Sequence, residues 1–382
     1  MKKNLTLSEE EKKSSDKLKQ IIHSEIKLEG PISFSRFMQL ALYHPEFGYY
    51  QVKSNIFSQD GDYTTSPNIS SMFAEVFVND FEKIFELSGK NILELGAGNG
   101  NFCASILKCF DSRKIDFEHY YIFESSASLI HVAKTQLKKK LSPKDYSKII
   151  WLEELPSSFR GVIFMNEFFD ALPVGVYLKK DKKVFEKYVD IKNDHFVWVE
   201  KSIEENYQFN NLPIDKLPND YTFEYSEGYE LWVKQIRKTL AQGAIFIIDY
   251  GFHEQELFHP DRSSGTMMCY SKHQSHFDPF LNIGQQDISC HVNFSLLKRL
   301  MDKNFQIEGF VSQANYLINA NILELLNTFD PEDDVLYRKK VSELNILISP
   351  AEMGDIIKVL AFSKDINLQL EGFSKNDRSH TL

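Results

Sequence analysis

The chain has 382 residues and a mass of 44.4 kDa, more than one compact domain usually holds, so one large domain with insertions, or one domain plus a smaller one, is expected. At 42% hydrophobic and 26% charged, with 17 Gly and 12 Pro, the composition excludes fibrous, disordered and disulfide-stapled classes. The 44 Lys+Arg against 54 Asp+Glu give a net charge of −10, so there is no global basic field for nucleic acid or an anionic membrane, and a basic ligand is favoured.

Residues 1–20, MKKNLTLSEEEKKSSDKLKQ, read as a polar, frayed leader without the apolar run of a secretory signal or the Arg-rich, acid-poor character of a transit peptide. Cytoplasmic residence is the expectation, with Cys103, Cys109, Cys269 and Cys290 as reduced thiols, because no CxxC pair or zinc-finger spacing is present. No uncharged apolar run approaches the length of a membrane span.

Residues 21–90 form an N-terminal helical region. Its run SPNISSMFAEVFVNDFEKIFEL places Ile69, Met72, Phe73, Val76, Phe77, Phe81, Ile84 and Phe85 at helical spacing, with Ser66 as cap and Pro67 as first helical residue. From 91 to 363 short apolar runs alternate with helices: NILEL, YYIFE, IIWLE, GVIFMNE and GAIFIIDYG predict strands of a parallel sheet buried on both faces. The runs at about 175–225 are broken by KKDKK and KNDH and predict an inserted antiparallel meander. Residues 253–287 are polar and aromatic with little periodicity, a length that suits a functional lid. Helices are expected near 295–303 and 321–329, a last strand at IIKVLAFS, and a flexible polar tail over 364–382.

The sharpest local signal is ILELGAGNG, a strand running into Gly96, Gly98 and Gly100 and then a helix. Such glycines allow a tight turn and let backbone N–H groups approach a ligand. A dinucleotide fingerprint needs Gly or Ala at position 101, where Asn101 stands. The pattern led by Glu94 suits S-adenosylmethionine instead. Glu124, at the end of the next strand, is placed to accept the ribose hydroxyls. Thr65 and Ser66, at a helix start, suit the donor's methionine carboxylate, although a plain cap explains Ser66 equally well.

The fourth strand ends in MNEFFDALPV, putting Asn166, Glu167 and Asp170 where open sheets carry their chemistry. Glu167 and Asp170, three apart, share one face if the chain turns helically, and two carboxylates could bracket a guanidinium; a solvated first helical turn is the plainer reading. Asp287 and His291, four apart, could share a helical face, with His291 a candidate base. Tyr270, His273, His276 and Asp278 look like metal ligands, but methyl transfer needs none and no metal is expected.

GPISFSRFMQLALYHPEFGYY, GDYTTSPNIS, ELGAGNG, NEFFDALPV, IIDYG, GTMMCYSKH and QQDISCHVNFSLL, in this order, resemble the MidA family of S-adenosylmethionine-dependent methyltransferases. That family includes a mitochondrial protein arginine methyltransferase that assists assembly of respiratory complex I. The resemblance spans roughly 20–363 and implies an α/β, Rossmann-like seven-stranded methyltransferase sheet with a β-rich insertion and an N-terminal helical extension. It also implies S-adenosyl-L-methionine as cofactor and, as partner, a protein presenting arginine, with a respiratory complex subunit among the candidates. Asn68 and Asn293 stand where the family usually carries acidic residues; if the Asp that Asn293 replaces contacts substrate in relatives, target choice is affected while cofactor binding is untouched. Absence of a Pro-Pro-aromatic element after Asn166 argues against amide and base acceptors. The alternatives are a cofactor-binding assembly factor with little turnover, or a methyltransferase acting on another nitrogen acceptor.

Overall fold

The computed structural model describes residues 7–52, 64–203, 209, 212–272, 274–301 and 303–382. Gly61, Asp62 and Tyr63 of GDYTTSP, and His273, lie outside the described residues.

The apolar runs are strands of one central sheet: β1 (Asn91–Leu95), β2 (His119–Phe123), β3 (Ile149–Leu152), β4 (Phe159–Asn166), β5 (Leu240–Phe252), β6 (Gln306–Ser312) and β7 (Ile357–Lys364). Their order is β6-β7-β5-β4-β1-β2-β3. β7 is antiparallel to β5 and β6, and the remaining pairs are parallel. This is the expected seven-stranded sheet, with a two-residue strand, Val292–Asn293, added along the end of β5. Alternate residues enter opposite cores: Ile92, Phe164, Phe246 and Val359 on one face, Leu93, Ile163, Ile247 and Leu360 on the other. Burial on both faces is why these strands read as unbroken apolar runs. Much of the Phe content is core, as with Phe102 stacked on Phe164 at 3.8 Å between centroids.

Between β4 and β5, Gly175–Lys180, Lys183–Lys192, His195–Ser202 and Tyr221–Tyr225 form an antiparallel sheet. Asn193 and Asp194, both at positive φ, make one of its two-residue turns. Ile32–Ser33 pairs with Lys183–Lys192 and ties the N-terminal helices to this sheet. Within 253–287, Met268–Ser271 pairs with Gln274–His276 and with Asp287–Ser289.

Several expectations need correction. The run after Ser66 is three helices, Ser66–Ile69, Met72–Glu75 and Val78–Leu87, because Ser70 is extended and its hydroxyl reaches Glu343. Apolar spacing alone cannot register that break. The cap is Thr65, so Pro67 takes the second helical position. The polar leader is largely helix Glu9–Glu29, opened by a Ser8–Glu11 capping box and buried through Leu18 and Ile22. The tail packs too: Leu368, Leu370 and Phe373 are buried, and Asp80 accepts the Glu371 N–H. Periodicity also missed β6 and the helix Asp334–Ile348. No helix among the described residues is long and apolar enough to cross a membrane.

Candidate active site

The turn after β1 is built from left-handed glycines. Gly96, Gly98 and Gly100 have φ of 74°, 54° and 77°, a region that costs side-chain-bearing residues about 1–2 kcal/mol. Gly96 donates its N–H to Phe123 O, and Gly98 donates to a Glu124 carboxylate oxygen at 3.1 Å. Gly96 and Gly98 line a cavity of about 330 Å³ at the C-terminal ends of β1, β2 and β4. Gly100 lies behind that wall: a Cβ there would meet Leu137 at 3.1 Å, so its role is close packing of helix Asn101–Arg113 against Ala127–Lys140. Ser66 is also behind the wall, fully buried and donating to Gln313, whereas Thr65 reaches it.

The cavity is polar at one end and apolar at the other. Phe123, Phe168, Leu172 and Trp232 form the apolar part. Glu124, held by the Gly98 and Ser126 N–H groups, and Glu94, bonded by the Tyr120 hydroxyl at 2.7 Å, supply carboxylates. Burial pushes the Glu94 carboxyl up to about 7, against the pull of the Tyr120 bond. At the polar end Asn68 accepts amide N–H groups from Asn99 and Asn101 and donates to Thr65 Oγ1 at 2.6 Å. Asn68 therefore lines this cavity. Asn293 does not line it; its side chain caps helix Phe294–Leu300.

The volume is within the roughly 300–1,000 Å³ of ligand sites. The Asn166 Oδ1 atom on the wall is buried with no hydrogen-bond partner, and the N-cap of helix Asn101–Arg113 is Gly100, which has no side chain, so at this helix start Asn99 Oδ1 accepts the Asn101 N–H. The lining suits S-adenosylmethionine: apolar rings for an adenine, Glu124 for ribose hydroxyls, and the Asn166 oxygen with the Thr65 end for the amino-acid moiety.

A second, smaller cavity of about 70 Å³ adjoins the first, and Glu167 lines both. It is walled by Asp170, Asp287, Tyr250, Tyr270, Thr266 and His291. Glu167 has φ of 52° and is held there by its N–H bond to Ile248 O of β5. A non-glycine residue kept in that region is strain of the kind found at functional sites. The next three N–H groups, of Phe168, Phe169 and Asp170, all converge on one Asp249 oxygen. Glu167 and Asp170 are thus brought together by a strained turn pinned to β5, and not by the helical turn that their spacing suggested.

Electrostatically this cavity is acidic, with no Lys or Arg among its described lining residues. Burial, then Asp170, pushes the Glu167 carboxyl well above its usual range; burial, then Asp249 and Asp287, does the same to Asp170. Burial lifts Asp249 to about 8. Asp170 Oδ1 is buried and unpartnered. Asp287, on a strand and not on the expected helical face, is bonded by Tyr50 and Ser289. His291 reaches the same cavity from the loop beyond, but burial lowers it to about 4, with Arg262 and Lys358 adding to the effect. It is a neutral wall residue there, a poor proton acceptor. Among the described residues no His, Cys, Asp and Glu group could hold a metal ion.

Sequence reasoning missed Tyr43, Tyr50 and Gln39, which wall the first cavity from the N-terminal helices, and the turn-holding role of Asp249. The PEFGYY motif and the end of strand IIDYG were the available signals.

The family model described as "Putative S-adenosyl-L-methionine-dependent methyltransferase" matches residues 72–311. A crystal structure of a Burkholderia thailandensis protein bound to S-adenosyl-homocysteine is 31% identical, with a TM-score of 0.92 and 99% of each chain covered. A native structure of a protein from the same organism gives 32% identity and a TM-score of 0.91, again over 99% of each chain. The mitochondrial protein arginine methyltransferase NDUFAF7 of Homo sapiens is 25% identical, covering 93% of this chain and 85% of its own length. Its Drosophila melanogaster homolog is 26% identical, covering 89% and 83%.

Proposed function

Because the chain belongs to this family of S-adenosylmethionine-dependent methyltransferases, we propose that it methylates an arginine side chain of a protein. The observation that carries the reading is Glu167 as common wall of the donor cavity and of a small acid-lined cavity beside it. When bound, S-adenosylmethionine supplies an electrophilic methyl group on a sulfonium. Glu94, Gly96, Gly98, Glu124 and Asn166, with Thr65, would hold it.

In this reading Glu167 and Asp170 hold the acceptor. A guanidinium is planar, and two carboxylates pair with its fork while drawing its charge away from the nitrogen that faces the donor. Loss of the acceptor's proton before transfer is unfavourable for a guanidinium; the proton leaves the nitrogen as its bond to the methyl carbon forms, with Glu167 or Asp170 as the carboxylate placed to receive it. Positioning and electrostatics are the rest of what these residues supply. Tyr250 and Tyr270 flank the site as rings on which a cation can rest. The curated relatives are named as arginine methyltransferases, which supports the same acceptor. The MidA resemblance adds a respiratory complex subunit as candidate substrate.

The test is transfer of labelled methyl from S-adenosylmethionine to proteins of cells lacking this chain, followed by hydrolysis and amino-acid analysis. Label in methylarginines is expected. Label in methyl-lysine or methylglutamine instead overturns the arginine reading.

A further inference from the structure

The inserted antiparallel sheet lies outside the methyltransferase sheet, yet one of its side chains holds a segment that walls the smaller cavity. Glu224, on the strand Tyr221–Tyr225, accepts four hydrogen bonds from the segment Gly265–Met267. Its oxygens receive the Thr266 N–H at 2.9 and 3.1 Å, the Thr266 hydroxyl at 3.1 Å and the Met267 N–H at 3.3 Å. Gly265, with φ of 83°, is fitted to this contact: a Cβ there would lie 2.1 Å from a Glu224 carboxylate oxygen. Beside it Thr222 donates its N–H to Ser263 O at 2.8 Å, so the strand grips the segment at two points.

The gripped segment is cavity wall. Thr266 and Met268 line it, and Thr266 Oγ1 also accepts the His291 N–H at 3.1 Å. From Met268 onward the strand pairs with Asp287–Ser289, placing Tyr270 opposite Asp287. One carboxylate of the insertion therefore fixes the start of the strand whose residues face Glu167 and Asp170 across the cavity.

We infer that Glu224 is a positioning residue for the methyl acceptor: the insertion clamps the Gly265–Met267 turn so that the cavity keeps the width of a guanidinium. This rests on the arginine reading above. Glu224 touches neither the donor cavity nor the acceptor, so its effect falls on acceptor binding alone. Glu224→Gln leaves one oxygen for three N–H and O–H donors and turns an amide N–H towards them. Gly265→Ala attacks the same contact from the other side.

The experiment titrates the full chain, saturated with S-adenosyl-homocysteine, with isotope-labelled methylguanidinium by NMR, and measures S-adenosyl-homocysteine affinity and thermal unfolding in parallel. The inference expects methylguanidinium binding to weaken about tenfold in Glu224→Gln and Gly265→Ala, with the affinity for S-adenosyl-homocysteine unchanged. Thr266→Val, which deletes one hydroxyl and keeps the side-chain shape, provides the same reading if the other two fail to fold. Unchanged methylguanidinium affinity in any folded variant overturns the clamp, as does an equal loss of both ligands. If wild-type protein binds no methylguanidinium, the arginine reading falls and takes this inference with it. If wild-type and variants bind it equally, only the clamp falls.

Discussion

The Tyr50 hydroxyl donates a 2.9 Å hydrogen bond to Asp287, joining a residue of the donor cavity to a residue of the smaller acidic cavity across 237 positions of sequence. Glu167 lines both cavities, so under the proposed function the two are one reaction space divided by side chains. Substitutions on the divide should therefore separate donor binding from transfer.

Glu167→Gln keeps the size of the side chain and its left-handed backbone while removing the charge that faces the acceptor. S-adenosylmethionine affinity should stay nearly constant while single-turnover methyl transfer falls by roughly 30- to 1,000-fold, the effect of about 2–4 kcal/mol at the transition state. Wild-type rates from this variant would move the role to Asp170 or Asp287.

Two glycines of one loop should behave differently. Gly98→Val puts a branched side chain on the cavity wall at φ of 54° and removes donor binding in calorimetry. Gly100→Ala strains a turn behind the wall and pushes on Leu137, lowering stability by roughly 1–2 kcal/mol with a smaller change in donor affinity. Glu124→Ala should weaken the donor by roughly 1–3 kcal/mol.

Glu94 gives a pH dependence with a definite sign. Its folded carboxyl titrates at about 7 against an ordinary 4.5, raised by burial and by the nearby Glu124, with the Tyr120 hydrogen bond opposing. The folded state then holds a proton that the unfolded chain releases, so stability is fully present below 4.5 and is lost as pH rises through 7, by roughly 3 kcal/mol. Urea unfolding of the ligand-free chain should show a shallower decline over this window for Glu94→Gln. An identical slope for both proteins would remove Glu94 as the cause.

The C-terminal tail should carry measurable stability. Phe373 is buried against Tyr316, 5.2 Å between centroids, so Phe373→Ala is expected to cost about 3–5 kcal/mol and shift the urea midpoint without changing its slope. A midpoint equal to that of wild type would return the tail to the flexible segment that its polarity suggested.

The central sheet and the donor loop were legible because their signals are local. A strand buried on both faces must be apolar throughout, and a backbone turn that bares its N–H groups needs glycine, so NILEL followed by GAGNG declares itself within ten residues. The acceptor side was legible only in its ingredients. Glu167 and Asp170 stood at the right strand end, but what brings them together is Asp249, some eighty residues later, collecting three N–H groups that no spacing rule connects to it. Asp287 and Tyr50 reach the site from separate elements. His291 shows the converse: its identity suggested a base, and its burial beside Arg262 and Lys358 makes it a neutral wall. Local patterns fix which residues form strands and turns. The ionisation and company of a side chain depend on burial and on neighbours distant in sequence, and those are properties that only the packed tertiary structure decides.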